Sequence, residues 1–382
     1  MIDKKYFCYE IYKNISIWSN QNKVRYNPCS LFQGHIKETK DVDIAKVWNS
    51  PEHLKIKQMV ETDTRIPGCD VCYREEAAGR KSRRNNTKKL YEDFHCDTNI
   101  NLNSPQSIDY SVGNLCNLKC VICGPNSSTS WLSDYQQMRP DVNIELFKYN
   151  KNIQKLLDDE SVLGNIKTIH FHGGGEPLLS NNHLDLLNKI KDVKGLKDVR
   201  VFYNTNGTVI PNDITMELWE QCLLVELYFS IDDIGSRFEY QRTGATWKKV
   251  CNNIEITKKI IPHNHMFNVN CVWSLLNLYY LDEVFDWYNA TLKTNRYGDP
   301  SNFILQKAVG ETEIKNLTES SLDVLKNKFS LHPQLLDLVK SIPNGTEDNQ
   351  VFWNYINRLD NVRNTEFRKV FPEWSLLIQL ED

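Results

Sequence analysis

The sequence has no long apolar run. Nothing in its 382 residues approaches the roughly 18 consecutive apolar residues of a membrane span, so no membrane partner is expected. The most apolar stretch, Leu223 to Ile231, is interrupted by Glu226 and reads as a buried strand. The N-terminus, MIDKKYFCYE, lacks the apolar core of a secretory signal. A cytoplasmic protein is expected, in which Asn206-Gly207-Thr208 is no glycosylation site. An excess of one charge is also missing. Lys and Arg number 46 against 49 Asp and Glu, a net charge of −3, so no global positive field advertises nucleic acid. Such a partner would need a local patch. Internal repeats and low-complexity tracts are absent as well.

What remains is a globular composition, 40% hydrophobic and 25% charged, in a chain long enough for about two to three domains. Cysteine is plentiful: eleven, at 8, 29, 69, 72, 96, 116, 120, 123, 222, 251 and 271. A reducing compartment disfavours structural disulfides, so clustered cysteines there read as metal binding or catalysis. Cys222, Cys251 and Cys271 stand singly in helix or strand patterns and read as small buried hydrophobes.

Residues 1–95 read as short strands and turns with an early helix, within an expected N-terminal domain of residues 1–100, and Pro51 marks a break between two apolar-periodic stretches. Within them GRKSRRNNTKK, at 79–89, carries six basic residues and no acid. It reads as a solvated turn or as a site for an anionic partner. From 105 to 310 apolar strand-like runs alternate with helical stretches. The strands are expected at Ile108–Val112, Ile166–His172, Val199–Asn204, Leu223–Ile231, Met266–Trp273 and Phe303–Val309. The helices are expected at Ile144–Asp158, His183–Val193, Asp213–Cys222, Trp247–Ile260 and Leu281–Leu292. This alternation argues for βαβ units around a parallel sheet, an α/β fold. Residues 311–382 read as a helical extension punctuated by Pro333, Pro343 and Pro372.

The segment SVGNLCNLKCVICGPNSS places Cys116, Cys120 and Cys123 directly after a predicted strand. Three thiolates at Cys-x3-Cys-x2-Cys can wrap one side of a [4Fe–4S] cluster and leave one iron open to a ligand. A zinc knuckle completed by a histidine is the alternative reading. Further polar motifs stand at the ends of successive strands: HFHGGGEPLL at 170–179, YNTNGT at 203–208 and YFSIDD at 228–233, then FEYQRTGATWKKV at 238–250. Singly each is an ordinary strand-to-helix turn. Together they fall where parallel barrels and open sheets bind their ligands. His170 and His172 alternate on the strand entering the glycine loop and face one side. They read as core or supporting histidines, as Tyr203, Tyr240 and Trp273 read as packing aromatics.

Over roughly residues 105–310 this arrangement closely resembles the radical S-adenosylmethionine (radical SAM) superfamily. The resemblance implies a partial (β/α)6 TIM-like barrel. It implies that Cys116, Cys120 and Cys123 hold a [4Fe–4S] cluster whose open iron binds the amino and carboxylate groups of S-adenosylmethionine. Ile122 corresponds to the family's bulky residue beside the adenine. Gly174, Gly175 and Glu176 match the motif that receives the methionine amino group. Asn204 and Asn206 fall where polar groups approach the nucleoside, Ser230 and Asp232 match a polar pair after the fourth strand, and Arg242 stands where related enzymes bind the carboxylate. The implied activity is reductive cleavage of S-adenosylmethionine to a 5'-deoxyadenosyl radical, which takes hydrogen from a substrate C–H bond.

Cys69 and Cys72 form a Cys-x2-Cys that alone suggests zinc or iron–sulfur equally. Cys8 and Cys29 bring the count to four, and Cys96 is a spare candidate. The pattern is similar to the twitch/SPASM-type domain, which implies a second, auxiliary [4Fe–4S] cluster on Cys8, Cys29, Cys69 and Cys72. The expected function is therefore oxidation or related modification of a peptide or a sugar-like small molecule. An external one-electron donor such as a flavodoxin or ferredoxin is expected. A non-catalytic metal-binding or redox-sensing protein, and a radical enzyme acting on nucleic acid, are the alternatives.

Overall fold

The computed structural model describes residues 4–20, 23–40, 42–77, 79, 81–93, 100, 102–147, 159–261, 265–294, 301–346 and 349–377. The chain forms two units. One comprises 1–114, 146–203 and 213–225; the other comprises 115–145, 204–212 and 226–382.

In the first unit the strands are β1 (Asn14–Asn20), β2 (Lys23–Asn27), β3 (Lys37–Thr39), β4 (Ser107–Tyr110), β5 (Thr168–Phe171) and β6 (Arg200–Thr205). The last two residues of β6 already belong to the second unit. The spatial order is β3-β2-β1-β4-β5-β6. β2 lies antiparallel to β1 and β3, whereas β1 with β4, β4 with β5 and β5 with β6 are parallel. In β5 and β6 burial follows the period of two expected of strands. Ile169 and Phe171 of β5 and Val201 and Tyr203 of β6 are fully buried. Leu186, Leu187 and Ile190 of the helix Asn182–Lys194 are equally buried. The Tyr203 hydroxyl lies 3.0 Å from His183 Nδ1 on that helix, and its ring packs on Trp219. Gly195, at φ +84°, ends the helix in the left-handed conformation that glycine tolerates. Pro51 begins a helix, Pro51–Glu61, capped by the Ser50 hydroxyl accepting from the His53 N–H.

The second unit holds most of β7 (Leu224–Ser230), all of β8 (His265–Trp273) and all of β9 (Phe303–Lys307). β7 neighbours β8, and β8 pairs in parallel with β9, Val269 opposite Phe303. The helix Trp247–Ile260 buries Val250 and Ile254. Its C-terminal part is helical: Glu319–Lys328, Pro333–Lys340 and Gln350–Arg363. Behind these, Phe352, Phe367, Phe371 and Trp374 form an aromatic cluster, stacked at 4.7 Å between Phe367 and Phe371.

The expected α/β class is borne out. Strands occur at all six expected positions, and four of the five expected helices are present. Of the fifth, Ile144–Asp158, only Ile144–Phe147 is described, as a short 3-10 turn; residues 148–158 lie outside the described residues. Among the described residues no helix is long and apolar enough to cross a membrane.

Candidate functional site

The three-cysteine loop belongs to the second unit and is fixed by its own backbone. Lys119 N–H donates to Thr243 C=O at 2.9 Å and Val121 N–H to Gln241 C=O at 2.7 Å. Ser130 Oγ donates to Cys116 C=O at 2.8 Å, and Trp131 Nε1 to Cys120 C=O at 2.8 Å. These bonds satisfy polar groups that a folded loop would otherwise leave orphaned. Gly244, at φ +105°, permits the approach: a Cβ there would stand 3.0 Å from Asn117 C=O.

Around the loop the structure gathers Asn206, Asp232 and Arg242. Asn206 Nδ2 lies 3.1 Å from Asn117 Oδ1 and 3.8 Å from Cys116 Sγ, while its Oδ1 accepts from Thr208 N–H and Oγ. Arg242 pairs with Asp232 at 2.7 Å, both almost fully buried, and its Nη1 lies 3.9 Å from Cys120 Sγ. Burial works against the Arg242 charge, but Asp232 and the Cys120 and Cys123 thiols outweigh it and raise its pKa. The hydrogen bond from the Cys120 thiol lowers the pKa of Cys123 and raises that of Cys120. Cys123 is exposed and Cys116 and Ile122 are half-buried. Asn204 is exposed and Ser230 half-buried. Three thiols on one fixed loop, beside a buried guanidinium whose Nε has no hydrogen-bond partner, fit an anionic thiolate-bound cluster.

The glycine loop belongs to the first unit. Gly173, Gly174 and Gly175 all have positive φ, +86°, +136° and +70°. At Gly173 a Cβ would stand 2.7 Å from the Trp18 ring. Glu176 is buried and its carboxylate accepts from Leu178 N–H at 3.2 Å, capping a short 3-10 turn. Consecutive glycines in this conformation leave backbone N–H groups free of side-chain cover, a form suited to binding polar ligand groups.

His170 and His172 both turn to one carboxylate that the sequence reading missed. His170 Nδ1 and His172 Nε2 each lie 3.5 Å from Asp109 Oδ1 in β4. Arg83 holds both Asp109 oxygens, at 3.1 and 3.2 Å, and donates to Glu10 at 3.0 Å and to Ser30 at 2.8 Å. Burial alone would raise the Asp109 pKa; Arg83 and the two imidazoles hold it well below the carboxylate range. His170 is pushed down to about 3, by burial first. The only signal for Asp109 in the sequence was an acid inside an apolar strand. This network also corrects the reading of 79–89 as a turn. Arg83 begins a helix, Arg83–Asp93, and Arg84 donates to Glu76, so both arginines face internal carboxylates.

Cys8, Cys29, Cys69 and Cys72 line one cavity, together with Arg83 and Arg84. Cys69 ends the 3-10 turn Pro67–Cys69 and Cys72 lies in the helix Asp70–Ala77 that follows it, while Cys8 and Cys29 flank the β1–β2 pair. Burial raises all four thiol pKa values, that of Cys69 to about 12. Four thiols with two guanidiniums in the wall fit a thiolate-bound group whose negative charge the arginines would offset. Among the described residues, no three His, Cys, Asp or Glu side chains stand close enough to hold a single metal ion. Cys96 lies outside the described residues. Cys222 and Cys271 are buried singles, Cys251 is half-buried, and the Tyr240 hydroxyl donates to Asp360.

Residues 110–272 match the Radical SAM superfamily. The tungsten-containing aldehyde ferredoxin oxidoreductase cofactor-modifying protein of Pyrococcus furiosus is 25% identical over 175 residues, 44% of this chain and 44% of that protein. The GTP 3',8-cyclase of Mannheimia succiniciproducens is 26% identical over 227 residues, 59% of this chain and 58% of that enzyme. The chain spans about half the length of these curated relatives. Among solved structures, native anSMEcpe with bound AdoMet is similar at a TM-score of 0.40 and 18% identity, over 63% of this chain and 62% of that one. Streptococcus suis SuiB bound to S-adenosylmethionine is similar at 0.38 and 12% identity, over 91% of this chain and 76% of that one. Enzymes of the matched superfamily use a [4Fe–4S] cluster and S-adenosylmethionine. Over residues 110–272 the chain is thus similar to the Radical SAM superfamily.

Proposed function

We propose that Cys116, Cys120 and Cys123 hold the catalytic [4Fe–4S] cluster and that a second [4Fe–4S] cluster is held by Cys8, Cys29, Cys69 and Cys72. The observation that carries the reading is the gathering of the three-cysteine loop with Asp232 and a buried, partly unpartnered Arg242 inside the matched segment. Gly174, Gly175 and Glu176 would receive the amino group of S-adenosylmethionine, with Ile122, Asn204, Asn206, Ser230, Asp232 and Arg242 as further contacts. The bound cofactors would supply a 5'-deoxyadenosyl radical for hydrogen abstraction from a substrate C–H bond. The protein's part is to bind, orient and exclude water. Arg242 keeps positive charge beside the thiolates, and Asp232 orients Arg242. The glycine loop presents backbone N–H groups that a side chain would cover.

In this reading residues 1–100 form the auxiliary domain, 105–310 the radical domain and 311–382 the extension. The second cluster is supported by four thiols and two arginines that line one cavity. A peptide or sugar-like small molecule as substrate, and a flavodoxin or ferredoxin as electron donor, complete the proposal. Arg83 and Arg84, two of the six basic residues on which a nucleic-acid substrate rested, are paired internally.

The test is iron per chain in anaerobically prepared protein, wild type beside the Cys116→Ala/Cys120→Ala/Cys123→Ala triple variant. About eight irons falling to about four is expected, with loss of S-adenosylmethionine cleavage. Zinc in place of iron, or cleavage retained by the triple variant, would overturn the assignment.

A further inference from the structure

The C-terminal helix Gln350–Arg363 meets the three-cysteine loop of the same unit at several points, and nothing in the radical chemistry accounts for them. The Tyr355 hydroxyl donates to Val121 C=O at 2.5 Å, between Cys120 and Cys123 in sequence. Arg363 Nε donates to Asp134 at 2.8 Å, and the other oxygen of Asp134 accepts from Lys119 Nζ at 2.7 Å. Asp134 thus ties the helix to a lysine that lies between Cys116 and Cys120. Arg363 Nη1 also reaches Thr243 Oγ at 3.2 Å, and Thr243 C=O is the acceptor for Lys119 N–H. The guanidinium lies over the Trp131 ring at 4.6 Å, and the Trp131 indole donates to Cys120 C=O. Arg363 and Asp134 are 4% and 3% exposed, so water does little to weaken the pair. Burial would raise the Asp134 pKa, but Lys119 and Arg363 outweigh it and lower the value, so the carboxylate is ionised between two cations.

Each of these contacts ends on the loop backbone or on a group that itself holds that backbone or the Lys119 side chain of the loop. None ends on a thiol. A loop that must present three thiols at fixed spacing gains from such support, because a flexible loop would lose conformational entropy on every loading.

We propose that the helix Gln350–Arg363 is a brace that keeps the three-cysteine loop folded before any cluster binds, with Tyr355 and Arg363 as the positioning residues. The order of the loop does not depend on the proposed function. Only its consequence for iron retention rests on that reading.

The experiment is hydrogen exchange of the segment 115–124 in the metal-free full-length protein. The variants are Tyr355→Phe, Arg363→Gln and, as a control, Leu338→Ala in the core of the helix Pro333–Lys340. Loss of one hydrogen bond is expected to speed exchange of 115–124 on the order of five-fold in Tyr355→Phe, and by more in Arg363→Gln. Exchange of β8 should be unchanged in Tyr355→Phe, and the control should leave 115–124 at the wild-type rate. An unchanged 115–124 segment in both variants would overturn the brace. So would an equal increase in the control, or loss of β8 protection in Tyr355→Phe, since the contact would then support the whole unit rather than the loop. In reconstituted protein, iron release to a chelator should accelerate in the same order of variants. Wild-type protein that takes up no iron at this loop would sink the proposed function, while the exchange result would still decide the brace.

Discussion

Arg83 is the residue with most to lose. It faces Glu10 and Asp109, a carboxylate with no exposure at all. Removing one partner of a buried pair leaves the others charged and uncompensated. Arg83→Met is expected to destabilise the first unit by about 3–5 kcal/mol, read from urea unfolding. A loss under about 1 kcal/mol would mean that water reaches these carboxylates. The sequence showed Arg83 only as one of six basic residues in an acid-free stretch, because its partners lie 73 and 26 positions away. The thiols were legible for the opposite reason. Cys116, Cys120 and Cys123 are neighbours in sequence, and their chemistry is local. The glycines at 173–175 were legible as a motif, but the Trp18 ring that forbids a side chain at Gly173 comes from a distant strand.

At the scale of elements, apolar runs alternating with helical stretches made the six expected strands readable. Proline was read less well. Pro51 was taken for a break, yet at the first helical position its missing N–H costs nothing, and Ser50 supplies the cap. The helix Arg83–Asp93 was hidden by its polarity, since an apolar stripe is the usual signal for a helix. The turn-and-helix segment Pro67–Ala77 carries half of the proposed auxiliary ligands, and it supports a separate prediction. Cys69→Ala/Cys72→Ala should lower iron by about four per chain and leave uncoupled cleavage of S-adenosylmethionine intact. Iron unchanged within error would remove these residues from the ligand set.

For the molecule as a whole, the near balance of charge leaves its acid sensitivity to particular buried groups. His53 and His183 are both fully buried, and burial pushes each pKa down to about 4. The unfolded chain, with histidines near 6.5, therefore binds more protons than the folded one between about pH 4 and 6.5. The stability of the folded state is complete above that window and falls as pH drops through it. Each histidine should account for about 2 kcal/mol lost by pH 5, seen as a falling Tm. His183→Gln should flatten that profile; an unchanged slope would show that His183 is already protonated in the folded protein.

The parallel pairing of β1 with β4 also sets an order of events during synthesis. Asn14 pairs with Ser107, about ninety residues later, and such distant contacts form slowly. A ribosome adding roughly 5–20 residues per second completes Cys8, Cys29, Cys69 and Cys72 seconds before β4 emerges. The Ser30 N–H beside Cys29 is tied to Asp109 in β4 at 3.0 Å, and Arg83 is tied to the same carboxylate. The wall of the four-thiol cavity is thus finished only when β4 joins the sheet. On the proposed reading, iron acquisition there would be a late step in the nascent chain's history, after an interval in which the thiols are exposed to oxidants.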